Sequence, residues 1–161
     1  MTAATISRDA AEVTRAAVRT FFDAYRAAFD RKDAAAIAEF FAYPVHVTND
    51  TGDGVTTYAF NAKRDWMPQV RDLLEMYGKI GAAGAAIREV RVVEVDTQVL
   101  QATLDWDIRG ASGESLYRFR ASYTLASTGD SYRITAIANN ELSRYREAFL
   151  RLHEARTRTG E

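Results

Sequence analysis

Apolar residues recur along residues 9–30 at helical spacing. Val18, Phe22, Tyr25 and Phe29 follow a 4-3-4 rhythm, and Ala17, Phe21, Ala24 and Ala28 lie on the adjoining line, giving a wide apolar stripe. Lys32 and Asp33 interrupt it. Asp33 offers a cap for a short second helix whose apolar side is Ile37, Phe40 and Phe41. Tyr43–Pro44 predicts its end, because a residue before proline avoids the helical region. From Val45 to Asn49 the pattern alternates, with Val45 and Val47 on one face and His46 and Thr48 on the other. Asp50 to Gly54 is dense turn chemistry, and Val55 to Phe60 reads as a partner strand, so the two form a hairpin. Residues 65–77 predict a third helix with Trp66, Val70, Leu73, Leu74 and Tyr77 in phase. Asp65 would cap it and leave Pro68 in the first turn, where its missing N–H costs little.

After a Gly/Ala-rich connection over Gly78 to Ala86, the period changes to two. Four strands are predicted over 87–95, 98–109, 115–126 and 131–141, with a bulge near Val92 where the valines change phase. Phase also predicts the pairing, because a one-residue slip sends apolar side chains to the wrong face. A turn at Ala111–Ser112 sets Leu104 opposite Phe119, Trp106 opposite Tyr117, Asp105 opposite Arg118 and Thr103 opposite Arg120. A turn at Thr128–Gly129 sets Tyr123 opposite Ile134 and Tyr117 opposite Asn140. The apolar face would then hold one row, Trp106–Tyr117–Asn140, whose members all carry polar atoms. Residues 143–157 return to helical spacing through Leu142, Tyr145, Phe149 and Leu152. The organisation expected is a flexible stretch over 1–8, one domain over 9–142, and a C-terminal helix and tail over 143–161.

Composition narrows the function. The 161 residues suit one domain, and a net charge of −1 argues against a dedicated nucleic-acid or anionic-membrane binder. No apolar run approaches the roughly 20 residues of a membrane span, and the N-terminal residues have no apolar core of a signal peptide. Cysteine is absent, which removes disulfides, thiolate nucleophiles and zinc–thiolate sites and fits a reducing, cytoplasmic setting. Two histidines exclude a histidine-rich metal site. Neither a cofactor nor a metal is expected.

The order of helix, short helix, hairpin, helix and antiparallel strands resembles the NTF2-like superfamily, in its bacterial SnoaL-like and ketosteroid-isomerase-like branch. The carrying segments are FFDAYRAAFDRKDAAAIAEFFAYPVHV and GDSYRITAIANNEL. The resemblance covers about residues 13–142. It implies an α+β fold: a curved, mostly antiparallel sheet wrapped around the N-terminal helices as a cone, here with an extra C-terminal helix. It also implies an internal pocket and a homodimer formed through the outer sheet face. Family members include isomerases, cyclases, dehydratases, epoxide hydrolases and non-catalytic binding modules, so fold alone does not settle function. The isomerase oxyanion tyrosine falls on Tyr25. Its carboxylate base falls on Asn49, with Asp50 next, and its second oxyanion carboxyl falls near Ala121. An amide cannot take up a proton as a carboxylate does, so that particular isomerisation is not expected.

Each candidate has a plain reading beside the functional one. Tyr25 is a core tyrosine or a pocket hydrogen-bond donor. Trp106, Tyr117 and Asn140 are a packed polar row or a pocket wall, with Trp66, Asn49 and Tyr58 as further lining. His46 is an exposed strand residue or a general base or acid. Asp50 and Asp53 are turn formers or groups acting at the pocket mouth. Asp105 and Asp107 read as structural partners of Arg118 on the outer face, and a lone D-x-D is weak evidence for a metal. No inward-phased Asp-Arg-Asp set for epoxide opening is found. The expected function is binding of a small apolar organic molecule, with cofactor-free acid–base chemistry such as isomerisation, cyclisation or dehydration. Tyr25 and Tyr117 would donate hydrogen bonds, Asn140 would orient the ligand against a wall of Trp106 and Trp66, and Asp50 or His46 would accept a proton. The alternative is a non-catalytic dimeric association module.

Overall fold

The computed structural model of the chain describes residues 3–160, with side chains from Arg8. Helix α1 spans Ala3–Asp30, followed by α2 over Ala34–Ala38. Strands β1 (Phe41–Asp50) and β2 (Val55–Phe60) form the hairpin, and α3 covers Lys63–Lys79. Strands β3 (Ala82–Asp96), β4 (Val99–Gly110), β5 (Ser115–Ser127) and β6 (Tyr132–Asn139) precede α4 (Glu141–Arg158). The six strands form one open sheet in the order β2-β1-β6-β5-β4-β3. Only the β1–β6 pair is parallel. The architecture is the expected α+β cone.

The stripe on α1 fills the concave side of the sheet. Val18, Phe21, Phe22, Tyr25 and Ala28 are buried, and Phe22 meets Trp106 edge-on at 6.4 Å and Tyr123 at 4.7 Å between ring centroids. Full burial of one such aromatic is worth roughly 2–3 kcal/mol. Helix α1 begins at Ala3, ahead of its apolar stripe, so the expected flexible stretch falls inside the helix except for residues 1–2, which lie outside the described residues. The helix ends in a Schellman turn. Asp33 N–H donates to Ala28 C=O at 3.2 Å and Lys32 N–H to Phe29 C=O at 2.9 Å, with Lys32 left-handed at φ 55°. Asp33 then caps α2 through Ala36 N–H at 3.0 Å, as its sequence position predicts.

Several boundaries differ from the sequence reading. Strand β1 starts at Phe41, four residues early, and its ladder with β6 breaks between Phe41 and His46, around Pro44, which has no N–H to give. Helix α3 starts at Lys63 after Ala62, so Asp65 lies in the first turn rather than at the cap, and Pro68 lies inside the helix. The Gly/Ala-rich segment from Ala82 to Ala86 extends β3 instead of forming a connection. The irregularities of β3 fall at Ala82/Gly84, Ile87/Glu89 and Glu94/Asp96, not at Val92.

The register also differs. Trp106 pairs with Phe119, Leu104 with Ala121, Asp105 with Arg120 and Thr103 with Ser122. The turn is longer than expected, because Gly110 N–H bonds to Glu114 C=O and closes a wider loop. The slip is even, so each side chain keeps its face and changes only its neighbour. Between β5 and β6 the slip is not even. Leu125 pairs with Ile134 and Thr124 with Ala136, which makes Thr135 a bulge. Beyond it the phase inverts: Tyr123 pairs with Ile137 and Ala121 with Asn139. Asn139 therefore takes the inward position expected of Asn140, and the row Trp106–Tyr117–Asn140 does not exist.

Candidate functional site

A cavity of about 320 Å³ lies inside the cone. Its walls come from α1 (Tyr25, Phe29), α3 (Trp66, Val70, Tyr77), the inner face of β1 and β2 (Val47, Asn49, Tyr58, Phe60), β4 to β6 (Trp106, Phe119, Ile137, Asn139) and the start of α4 (Glu141, Leu142). Arg26, Asp30, Lys32 and Asp72 stand among the more exposed lining residues. The volume is at the lower end of the range for small-molecule sites, and the walls are mainly apolar, with rings from every layer of the fold.

Glu141 is the chemical centre of this cavity. The first residue of α4, it follows the inverted end of β6. Its Oε1 accepts the Tyr77 hydroxyl at 2.5 Å and the Tyr117 hydroxyl at 2.9 Å. Its Oε2 has no hydrogen bond among the described residues, and no arginine, lysine or histidine among them pairs with the carboxylate. The residue as a whole is partly exposed, yet its carboxyl group is enclosed by rings. Desolvation pushes its pKa up to about 7, against the two phenol hydrogen bonds, which pull it down. Burial, followed by the Glu141 charge, drives the Tyr77 and Tyr117 phenols far above their ordinary range, so both stay protonated donors.

An amide relay runs away from Glu141 along the inner face. Glu141 N–H donates to Asn139 Oδ1 at 3.0 Å, Asn139 Nδ2 to Asn49 Oδ1 at 3.0 Å, and Asn49 Nδ2 to Thr56 Oγ1 at 3.3 Å. A backbone N–H can only donate, so it fixes the orientation of the Asn139 amide and, through it, that of Asn49. Tyr25 is buried and its hydroxyl has no hydrogen-bond partner among the described residues. Desolvation, then the phenol of Tyr123 and the Glu141 charge, raises its pKa well above the ordinary value. Trp106 Nε1 donates to the Tyr123 hydroxyl at 3.0 Å, while Trp66 Nε1 is buried without a partner.

The structure brings together Tyr25, Asn49, Tyr58, Trp66 and Trp106 as lining, and places Tyr117 behind Glu141. Three sequence candidates lie elsewhere. His46 is exposed, because it alternates with the inward Val45 and Val47. Asp50 is exposed beyond the inward Asn49, and its Oδ1 accepts Gly52 N–H at 2.9 Å in the hairpin turn. Asn140 sits at the N-cap of α4 and accepts Arg120 N–H at 2.8 Å. Sequence reasoning missed Glu141 and Asn139. The signal for Glu141 was present: it stands four residues before Tyr145 and so belongs beside the apolar line of the last helix.

The outer face is polar. Arg120 clamps Asp105 through two bonds of 2.7 and 3.1 Å, which hold its carboxyl below the usual range. Asp107 is buried beneath Arg88, Arg109 and Arg118 at 3.4–3.9 Å, and Ser115 donates to it. Among the described residues no helix is long and apolar enough to cross a membrane, and no group of three or more His, Cys, Asp or Glu side chains is arranged to hold a metal.

Residues 11–142 match the family described as NTF2-like protein (DUF6841). The chain belongs to this NTF2-like family. No curated protein matches it in sequence. Similar solved structures include an NTF2-like protein of unknown function from Pseudomonas putida KT2440, with 11% identity over 80% of this chain and 87% of that one and a TM-score of 0.61. A second NTF2-like protein, with a cystatin-like fold, comes from Novosphingobium aromaticivorans. It has 18% identity over 84% of this chain and 86% of that one, with a TM-score of 0.58. A candidate dehydratase of the NTF2-like family from Streptomyces avermitilis has 13% identity over 80% and 96%, with a TM-score of 0.56. At such identities the likeness speaks for the NTF2-like fold alone.

Proposed function

We propose that this NTF2-like protein binds a small, mainly apolar organic molecule inside the cone and exchanges a proton with it through Glu141. The observation that carries this reading is the Glu141 carboxylate. One oxygen is held by two phenols, the other is bare, and the group sits on a mainly apolar cavity with a pKa of about 7. A general base or acid works best with a pKa near the working pH. Tyr25 is the donor toward a ligand oxygen, Asn49 and Asn139 orient the ligand, and Trp66, Tyr58 and Trp106 shape its apolar seat. The reaction class is cofactor-free isomerisation, cyclisation or dehydration. The similarity to the Streptomyces candidate dehydratase agrees with it at the level of fold. The test is a crystal structure of the protein as purified from cells. The expected result is ligand density in the cone with a polar atom within hydrogen-bond reach of Oε2. A cone closed by its own aromatics would sink this reading.

A second reading, a dimeric association module, is favoured by the charged network on β3 to β5, where Arg91 bridges Glu89 and Asp105 and Arg120 clamps Asp105. Such a surface is self-complementary under a two-fold axis. Light scattering of the wild type and an Asp105→Arg variant tests it, with conversion from dimer to monomer as the expected result.

A further inference from the structure

A carboxylate enclosed by protein is normally met by a cation, and this one is not. Among the described residues, the groups facing Glu141 are phenols: Tyr25 from α1, Tyr77 from α3, and Tyr117 and Tyr123 from β5, with Tyr145 of α4 beside Tyr117. The cationic lining residues are Arg26, one turn before the end of α1, and Lys32 in the turn that closes it, and Arg26 is tied to Asp30 at 3.2 Å. Leaving a desolvated carboxylate without counter-charge is costly, and the empty site relieves that cost by taking up a proton. The same cavity is lined by the rings of Tyr25, Trp66, Tyr77, Trp106 and Phe119, whose π-systems attract positive charge. An anionic ligand would find no cation at this end among the described residues and could be met only by the protonated acid and the phenols.

We infer that the cavity takes a ligand with an apolar body and a basic nitrogen, whose ammonium group sits on the bare Oε2 of Glu141 among the aromatic faces. The inference rests on the proposed reading of the cavity as a ligand site and names the ligand class. On binding, Glu141 gives its proton up to solvent, while the ammonium keeps its own and donates an N–H to the charged Oε2.

The test compares naphthylmethylamine, naphthylmethanol and naphthoate by calorimetry, each in two buffers of different ionisation enthalpy. The amine is expected to bind about tenfold or more tighter than the alcohol, and the carboxylate weakest. At about pH 6 the amine should displace the Glu141 proton and release most of one proton, and at about pH 8 almost none. The alcohol should release none at either pH. In Glu141→Gln, which keeps shape and removes the charge, amine and alcohol should bind alike. The proton count on the wild type needs no variant, so a misfolded variant does not rescue the idea. Equal binding of amine and alcohol without proton release overturns the inference and leaves the pocket reading standing. Failure of all three to bind overturns both.

Discussion

The Tyr77 hydroxyl donates to Glu141 Oε1 at 2.5 Å, joining α3 to the start of α4 across 64 positions of sequence. This contact turns a surface-type residue into an enclosed acid. It also means that α3 and the chemical group of the cavity are one unit: the Tyr145 hydroxyl returns the tie from α4 to Met76 C=O on α3 at 2.8 Å.

The Glu141 pKa sets a pH dependence of stability. Its folded value, about 7, lies above the ordinary 4.5, so its contribution is fully present below the ordinary value and is lost as pH rises through 7. The loss is about 3 kcal/mol, an upper bound that relaxation of the site reduces. Urea unfolding at several pH values should show stability falling through this window in the wild type and a flatter curve in Glu141→Gln. Identical slopes would refute the assignment.

Trp106→Phe keeps a ring but removes the Nε1–H that the buried Tyr123 hydroxyl accepts at 3.0 Å. A loss of about 1–2 kcal/mol is expected from the broken bond and the small void. Denaturant midpoints measure it, and an unchanged midpoint would mean that water replaces the indole.

Asn139→Ala cuts the amide relay between Glu141 N–H and Asn49 Oδ1. The expected cost is about 1–2 kcal/mol, because two partners in a half-buried site lose their bonds together. Asn140→Ala removes only the acceptor of Arg120 N–H, and ligand affinity should be untouched by it. Equal effects of both variants on binding would contradict the inverted phase of β6.

Lys32 holds φ 55° at the end of α1, a conformation that costs a side chain with a Cβ. Lys32→Gly should therefore stabilise the protein by about 0.5–1 kcal/mol, read as a rise in Tm. A fall would show that the lysine side chain holds the turn by contacts of its own.

The amphipathic stripe of α1, the Asp33 cap, the hairpin around Gly52 and the alternation of the later strands were all written in local pattern, because helix and strand periodicity record which face is buried. Tyr25, Trp66 and Trp106 were legible as inward residues for the same reason. What the chain pattern could not carry was one inserted residue. The bulge at Thr135 leaves no composition signal, yet it exchanges Asn140 for Asn139 and aims the chain so that α4 opens with Glu141 in the cavity. Phase reasoning extrapolates a regular strand, and a bulge breaks regularity at a place set by partners distant in sequence. Local sequence thus determined the elements and most of the wall. Only tertiary structure decided where the carboxylate stands, because its burial, its two phenols and its raised pKa come from α3, β5 and α4 meeting in space.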